Sequence, residues 1–150
     1  MVSNTIVRYL DERGVPFQVA MHSPRVTAQE IAASAHISGK RFAKTVVLVN
    51  DGHYFLAVVP AAERVDLPRF RKALGESVRL ASEAELDRLF PECETGAMPP
   101  LGGLFGLPVI ADACLALQDS IAVNGGTHSD VIELRWADYV RSEHPTIIEH

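Results

Sequence analysis

The spacing of apolar positions changes several times along the chain, and each change predicts an element. Ile6, Val7 and Leu10 share one helical face, Val15 follows Gly14 and Pro16 blocks continuation, so an opening helix of about two to three turns is expected. Phe17 to Met21 is strand-compatible and closes at Ser23-Pro24. Thr27-Ala-Gln-Glu30 has capping-box spacing ahead of Ile31, Ala32, Ala35 and Ile37 on one face, with Gly39 beyond, and predicts a second helix. Thr45 to Val49 and Tyr54 to Val59 are continuous β-branched and aliphatic runs joined by Asn50-Asp-Gly52, the signature of a hairpin covered on both faces. Val65 to Leu74 predicts a helix with Pro68 in its first turn and Gly75 at its end; Ser77 to Leu80 follows as a short strand. A second capping box, Ser82-Glu-Ala-Glu85, opens a helix to about Phe90. Strands are expected at Leu107 to Ala111, Ser120 to Val123 and Val131 to Leu134, and a last short helix at Trp136 to Arg141. There is no regular βαβ rhythm, and the hairpin demands antiparallel pairing. The expected fold is α/β of the α+β type: a single domain over residues 1–150, with a mixed, largely antiparallel β-sheet flanked by helices.

Composition narrows the function. The 150 residues carry 14 Lys plus Arg against 19 Asp plus Glu, a net charge of -5, with 47% apolar content, which suits one domain with a core and argues against a long basic face for nucleic acid. Cys93 and Cys114 form no CxxC, and the histidines at 22, 36, 53, 128, 144 and 150 form no HExxH or i, i+4 pair, so neither a metal nor another cofactor is expected. The longest apolar runs fall far short of the roughly 18 residues of a membrane span. With no signal pattern in MVSNTIVRYLDERG, a soluble cytoplasmic protein without a membrane partner is expected.

Three features point to chemistry. Between Pro91 and Pro108, eight of 18 residues are glycine or proline (Gly96, Gly102, Gly103, Gly106, Pro91, Pro99, Pro100, Pro108). Glycine admits a ligand to main-chain N–H groups and proline stiffens their path, so the segment suits a phosphate, a carboxyl or a developing oxyanion; a plain structural loop is the alternative. Lys44 heads the first hairpin strand, where its ammonium must snorkel, pair or enter a pocket. Asn124-Gly-Gly-Thr-His128 is a small-residue turn whose histidine is placed to hydrogen-bond a ligand, or is simply a hairpin turn. Asp112 is either the cap of Ala113 to Leu117 or a site acid. Without a GxSxG elbow, a nucleophilic cysteine motif or a paired-carboxylate loop, direct attack by water is easier to assemble than an acyl-enzyme.

Five short motifs in one order carry a resemblance: Thr27-Ala-Gln-Glu-Ile-Ala32, Ala43-Lys-Thr-Val-Val47, Leu89-Phe-Pro-Glu-Cys-Glu-Thr-Gly-Ala-Met-Pro-Pro100, Leu107-Pro-Val-Ile-Ala-Asp112 and Gly126-Thr-His128. Over nearly its whole length the chain resembles the single-domain YbaK family, related to the editing domain inserted in bacterial prolyl-tRNA synthetases. The resemblance implies a free-standing aminoacyl-tRNA deacylase, acting without metal or covalent intermediate on the acceptor end of a mischarged tRNA bearing a small amino acid. It implies a catalytic role for Lys44 and a substrate-binding GxxxP loop at Gly96, Ala97, Met98, Pro99 and Pro100. Thr127, His128 and Asp112 complete the substrate site on this reading, and a monomer is expected, with or without a synthetase partner. Pro99 stands where cysteinyl- and alanyl-specific members commonly have serine, and Gly125 where alanine is common, so the amino acid stays open. Arg25, Lys40 and Arg41, with Arg69, Arg71 and Lys72, would give a local basic rim for the tRNA end, or a solvated helix face. The alternatives are a non-catalytic module that binds tRNA 3' ends or a synthetase, and a hydrolase of a free small ester.

Overall fold

The computed structural model describes residues 3–21 and 38–149. The chain runs α1 (Asn4–Glu12), β1 (Phe17–Met21), β2 (Ala43–Asn50), β3 (His53–Pro60), α2 (Leu67–Leu74), β4 (Arg79–Leu80), α3 (Glu83–Leu89), α4 (Gly102–Phe105), β5 (Val109–Asp112), a 3-10 turn (Ala113–Leu117), β6 (Ser120–Asn124), β7 (Asp130–Arg135), α5 (Trp136–Glu143) and β8 (Thr146–Ile148). The expected helix at Thr27 to Ile37 lies outside the described residues, as does Arg25.

Local chemistry accounts for the element ends. The Ser3 hydroxyl accepts from the Ile6 amide at 3.3 Å to open α1, and its apolar stripe buries Ile6 and Leu10. The β2–β3 hairpin turns on Asp51 and Gly52, both with positive φ (50° and 81°), the conformation a two-residue turn of the type I′ class requires. Asp66 caps α2, and the wholly buried Phe70 fastens it to the sheet; truncation of such a side chain typically costs about 3–5 kcal/mol. Ser82 and Glu85 form the reciprocal capping box of α3.

The strands form two sheets. One is antiparallel, in the order β1-β7-β6; the other runs β4-β2-β3-β5-β8, antiparallel across β4-β2-β3 and parallel across β3-β5-β8. Among the described residues one parallel bridge, Phe42 to Ala122, joins them, with the Ala122 amide donating to the Arg41 carbonyl at 3.1 Å. Antiparallel pairing therefore predominates, as the hairpin pattern implies, but the sheet is divided. Three further differences concern bounds. The Gly/Pro segment contains the short helix α4, β5 begins at Val109 because the Leu107 amide turns back to the Gly102 carbonyl at 2.9 Å, and β8 adds an unanticipated edge strand.

Strand alternation sorts the core. Ala43 and Val47 of β2 join the largest cluster with Met98, Leu101, Val123 and Tyr139. On the opposite face of β2, Phe42 packs with Ala61, Ala122 and Val131, while Leu48 packs with Ala57, Val59 and Phe70. Lys44 lies in that second row, between two apolar clusters. Among the described residues no helix is long and apolar enough to cross a membrane.

Candidate active site

The Gly/Pro loop is laced to the β6–β7 turn by backbone groups. The Glu94 amide donates to the Gly126 carbonyl at 2.8 Å, and the Gly126 amide returns a bond to the Ala97 carbonyl at 3.0 Å. The Glu94 carboxylate also accepts from the His128 amide at 2.8 Å, and His128 Nε2 lies 2.8 Å from the Thr95 carbonyl oxygen. The turn is held from inside: Gly125 N–H donates to the Asp130 carbonyl at 2.9 Å, and Thr127 Oγ1 donates to the buried Asp130 carboxylate at 2.6 Å. The structure thus brings together Gly96, Ala97, Met98, Pro99, Pro100, Thr127 and His128.

Within this loop the amide inventory is short. Pro99 and Pro100 have no N–H, and the Ala97 amide is occupied by the Glu94 carbonyl at 2.9 Å. The amides of Gly96 and Met98 have no acceptor among the described residues. Gly96 is exposed with φ +84°, a left-handed conformation that a Cβ would strain although space exists, the nearest atom being His128 Cε1 at 3.7 Å. Ala97 to Pro100 are buried, so the loop presents rigid backbone with little mobile side chain at its surface.

Lys44 is engaged elsewhere. It pairs across the hairpin with Val59, is half-buried, and its ammonium donates to the Glu63 carbonyl. Burial pushes its pKa below the ordinary 10.5, and the Glu63 carboxylate partly opposes the shift. No hydrogen bond joins Lys44 to Gly96–Pro100 among the described residues, and Met98 packs in the cluster on the other face of β2. What links them is β6: two residues beyond the Phe42–Ala122 bridge, in the same strand direction, come Lys44 and Asn124, and Asn124 leads directly into the turn that holds the loop. Asn124 is 2% exposed and its Oδ1 has no hydrogen-bond partner among the described residues; His128 Nδ1 is likewise buried and unpaired among them.

Two expected groups of residues make bonds within the protein. Asp112, 1% exposed, accepts from the Cys114 amide at 2.8 Å and from Arg69 at 2.8 Å. Burial raises its pKa, but the Arg69 and Cys114 bonds outweigh this and leave it lowered. Asp112 is the cap of the 3-10 turn, one of the two readings its sequence position allows, and the ion-pair partner of Arg69. Part of the expected basic rim is also paired within the protein. Arg69 belongs to Asp112, Arg41 pairs with Glu133 at 2.8 Å, and Arg71 Nε donates to the Val78 carbonyl at 3.0 Å, leaving Lys40 and Lys72 exposed. Val59, Arg64, Arg69 and Asp112 line a cavity of about 280 Å³ on the Lys44 face.

A second cavity, of about 190 Å³, lies beside Gly126, walled by Ile6, Phe90, Cys93 and Phe105; a Cβ on Gly126 would come within 3.2 Å of Ile6 Cδ1. Burial, with Glu92 adding, pushes the Cys93 thiol up to about 11, which removes it as a thiolate nucleophile near neutral pH. Among the described residues, no three His, Cys, Asp or Glu side chains are grouped to hold a metal. Sequence reasoning missed Glu94 and Asn124. Glu94 looks like a surface acid, and only the Gly-Gly after Asn124 hints that a strand-end carboxamide adjoins a site.

The aminoacyl-tRNA editing domain model matches residues 22–142. The chain is 28% identical over 149 residues to the multifunctional Ser/Thr-tRNA deacylase ProXp-y of Escherichia coli (strain K12), covering 95% of this chain and 89% of that protein. Its fold is similar to a crystal structure of a hypothetical protein (TM-score 0.87, 20% identity, covering 97% of this chain and 98% of that one). It is also similar to that of a candidate trans-editing enzyme for prolyl tRNA synthetase (TM-score 0.85, 22% identity, covering 99% and 98%). These likenesses span the loop, the β6–β7 turn and the Lys44 strand together, and the chain belongs to the aminoacyl-tRNA editing domain family.

Proposed function

We propose that this chain is a trans-editing deacylase that hydrolyses the ester between a small amino acid and the 3'-terminal adenosine of a mischarged tRNA. The observation that carries the reading is the pair of unclaimed amides, Gly96 and Met98, on a loop stiffened by Pro99 and Pro100 and tied to the β6–β7 turn. As water attacks the ester carbonyl carbon, the carbonyl oxygen gains negative charge; fixed N–H donors and the Lys44 ammonium stabilise that charge more than the neutral ester. The acyl C–O bond then breaks, the ribose hydroxyl leaves with a proton, and free amino acid and tRNA are the products. His128 and Thr127 border the amino-acid end, and Lys44 holds the carbonyl or the terminal phosphate. Lys40, Arg41 and Arg25 are the proposed contacts to the tRNA end, with binding weak and salt-sensitive because the chain is acidic. On this reading the protein works in the cytoplasm as a monomer of one domain and needs no cofactor.

The test is release of amino acid from a panel of mischarged tRNAs. The ProXp-y relative makes seryl and threonyl esters the first to try. Cleavage of at least one ester by the wild type supports the reading; no cleavage across the panel overturns it. The pairing of Arg41, Arg69 and Arg71 within the protein favours a second reading, hydrolysis of a small free ester. Equal turnover on an aminoacyl-adenosine fragment and on whole tRNA would favour that reading.

A further inference from the structure

The carboxyl end of the loop is held by side chains that nothing above places in the reaction. Tyr139, wholly buried on α5, donates its hydroxyl hydrogen to the Pro100 carbonyl at 2.6 Å. One turn further along α5, the Glu143 carboxylate accepts from the Gly103 amide at 3.1 Å, from the Tyr9 hydroxyl at 2.8 Å and from the Ser142 hydroxyl at 2.6 Å. Gly103 sits close against α1: a Cβ there would lie 2.2 Å from the Tyr9 oxygen and 2.7 Å from an Arg13 nitrogen. The loop is thereby clamped at Pro100 and Gly103 by α5 and α1, while the β6–β7 turn holds its other end.

The two prolines give this clamp leverage. Each fixes φ near about −65°, so the path from the Pro100 carbonyl back to the Met98 amide has few free torsions. An anchor on Pro100 therefore sets the direction of the Met98 N–H. We propose that Tyr139 and Glu143 are positioning residues of the editing site, which keep the Met98 amide aimed at the substrate carbonyl without touching substrate themselves. This inference rests on the deacylase reading. Burial, with Glu143 and Tyr9 adding, keeps the Tyr139 phenol protonated far above its ordinary range, so it stays a donor at any pH where the protein works.

The test uses the full chain and three variants: Tyr139→Phe, Glu143→Ala and Glu143→Gln. Tyr139→Phe is expected to lower kcat about tenfold, leave KM within about twofold, and speed hydrogen exchange at the Met98 amide about tenfold. Glu143→Ala is expected to do the same more weakly, and Glu143→Gln, which keeps an acceptor for Gly103, to restore kcat. A purely structural role would lower the melting temperature with kcat and Met98 exchange unchanged in the folded protein, and that result would overturn the inference. If Tyr139→Phe does not fold, the Glu143 pair decides alone, and equal kcat in Glu143→Ala and wild type contradicts the proposal. A wild type that cleaves no aminoacyl ester defeats the deacylase reading instead, and Met98 exchange still reports whether the clamp holds the loop.

Discussion

His128 Nε2 stands 2.8 Å from the Thr95 carbonyl oxygen, while the backbone amide of the same residue donates to the Glu94 carboxylate at 2.8 Å. A carbonyl only accepts, so in this contact Nε2 carries a proton, and the buried Nδ1 has no partner among the described residues. One loop residue thus holds the histidine backbone and its neighbour orients the ring. Glu94→Ala removes the first tie. It is expected to lower kcat/KM about tenfold and the melting temperature by roughly 2–4 °C, read from deacylation kinetics and a thermal melt. Wild-type kinetics in the folded variant would mean the tie has no part in the site.

Lys44 combines a cost to folding with a use in catalysis. Burial lowers its pKa, so over the window from the folded value up to the ordinary 10.5 the unfolded chain binds more protons, and stability rises with pH there. Lys44→Met removes the burial penalty. Its stability at pH 7 is expected to equal or exceed wild type, with a flatter alkaline dependence in denaturant titrations. Activity in the wild type is expected to decline on the alkaline side below pH 10.5, as the ammonium loses its proton. An activity plateau through that range, corrected for spontaneous ester loss, would show that the charge is not used.

Asn124 makes the same trade. A buried acceptor without a partner costs about 1–3 kcal/mol, and an apolar residue of similar size removes the cost. Asn124→Leu is expected to be neutral or more stable by up to about 1 kcal/mol while cleavage slows at least tenfold. Loss of stability with full activity would place Asn124 in the core alone.

The Asp112–Arg69 pair belongs to stability. Asp112→Ala strands a largely buried guanidinium, at a cost of about 3 kcal/mol near neutral pH. Because the folded pKa of Asp112 lies below its ordinary 3.8, its contribution is present above that value and fades as pH falls beneath it. The stability gap between wild type and variant should therefore shrink in acid, as urea titrations between pH 7 and pH 3 would show; a constant gap would contradict the assignment.

Features set by near neighbours were legible in the chain. Asp51-Gly52, the Ser82 and Glu85 box, Gly14 after α1 and Pro68 in α2 each act within a few residues, and their elements stand where the pattern puts them to within a few positions. Features set by distant partners were not. Gly102-Gly103 reads as loop, yet both residues lie in α4, and glycine is needed there because Leu107, Tyr9 and Arg13 fill the space a Cβ would need. The strand Thr146–Ile148 exists because β5 offers a parallel edge, and three residues after His144 carry no periodicity of their own. The same holds for the site: glycines and prolines mark the loop, but the ties from Glu94 and Tyr139 depend on segments far away in sequence.

The measurement that bears most directly on the account is single-turnover loss of labelled amino acid from mischarged tRNA, with wild type and Lys44→Ala compared at equal folded concentration. The wild type is expected to cleave the ester and the variant to be slower by about 100-fold to 1000-fold, the scale of losing one transition-state donor. Wild-type rates in folded Lys44→Ala, or no cleavage by either protein, would contradict it.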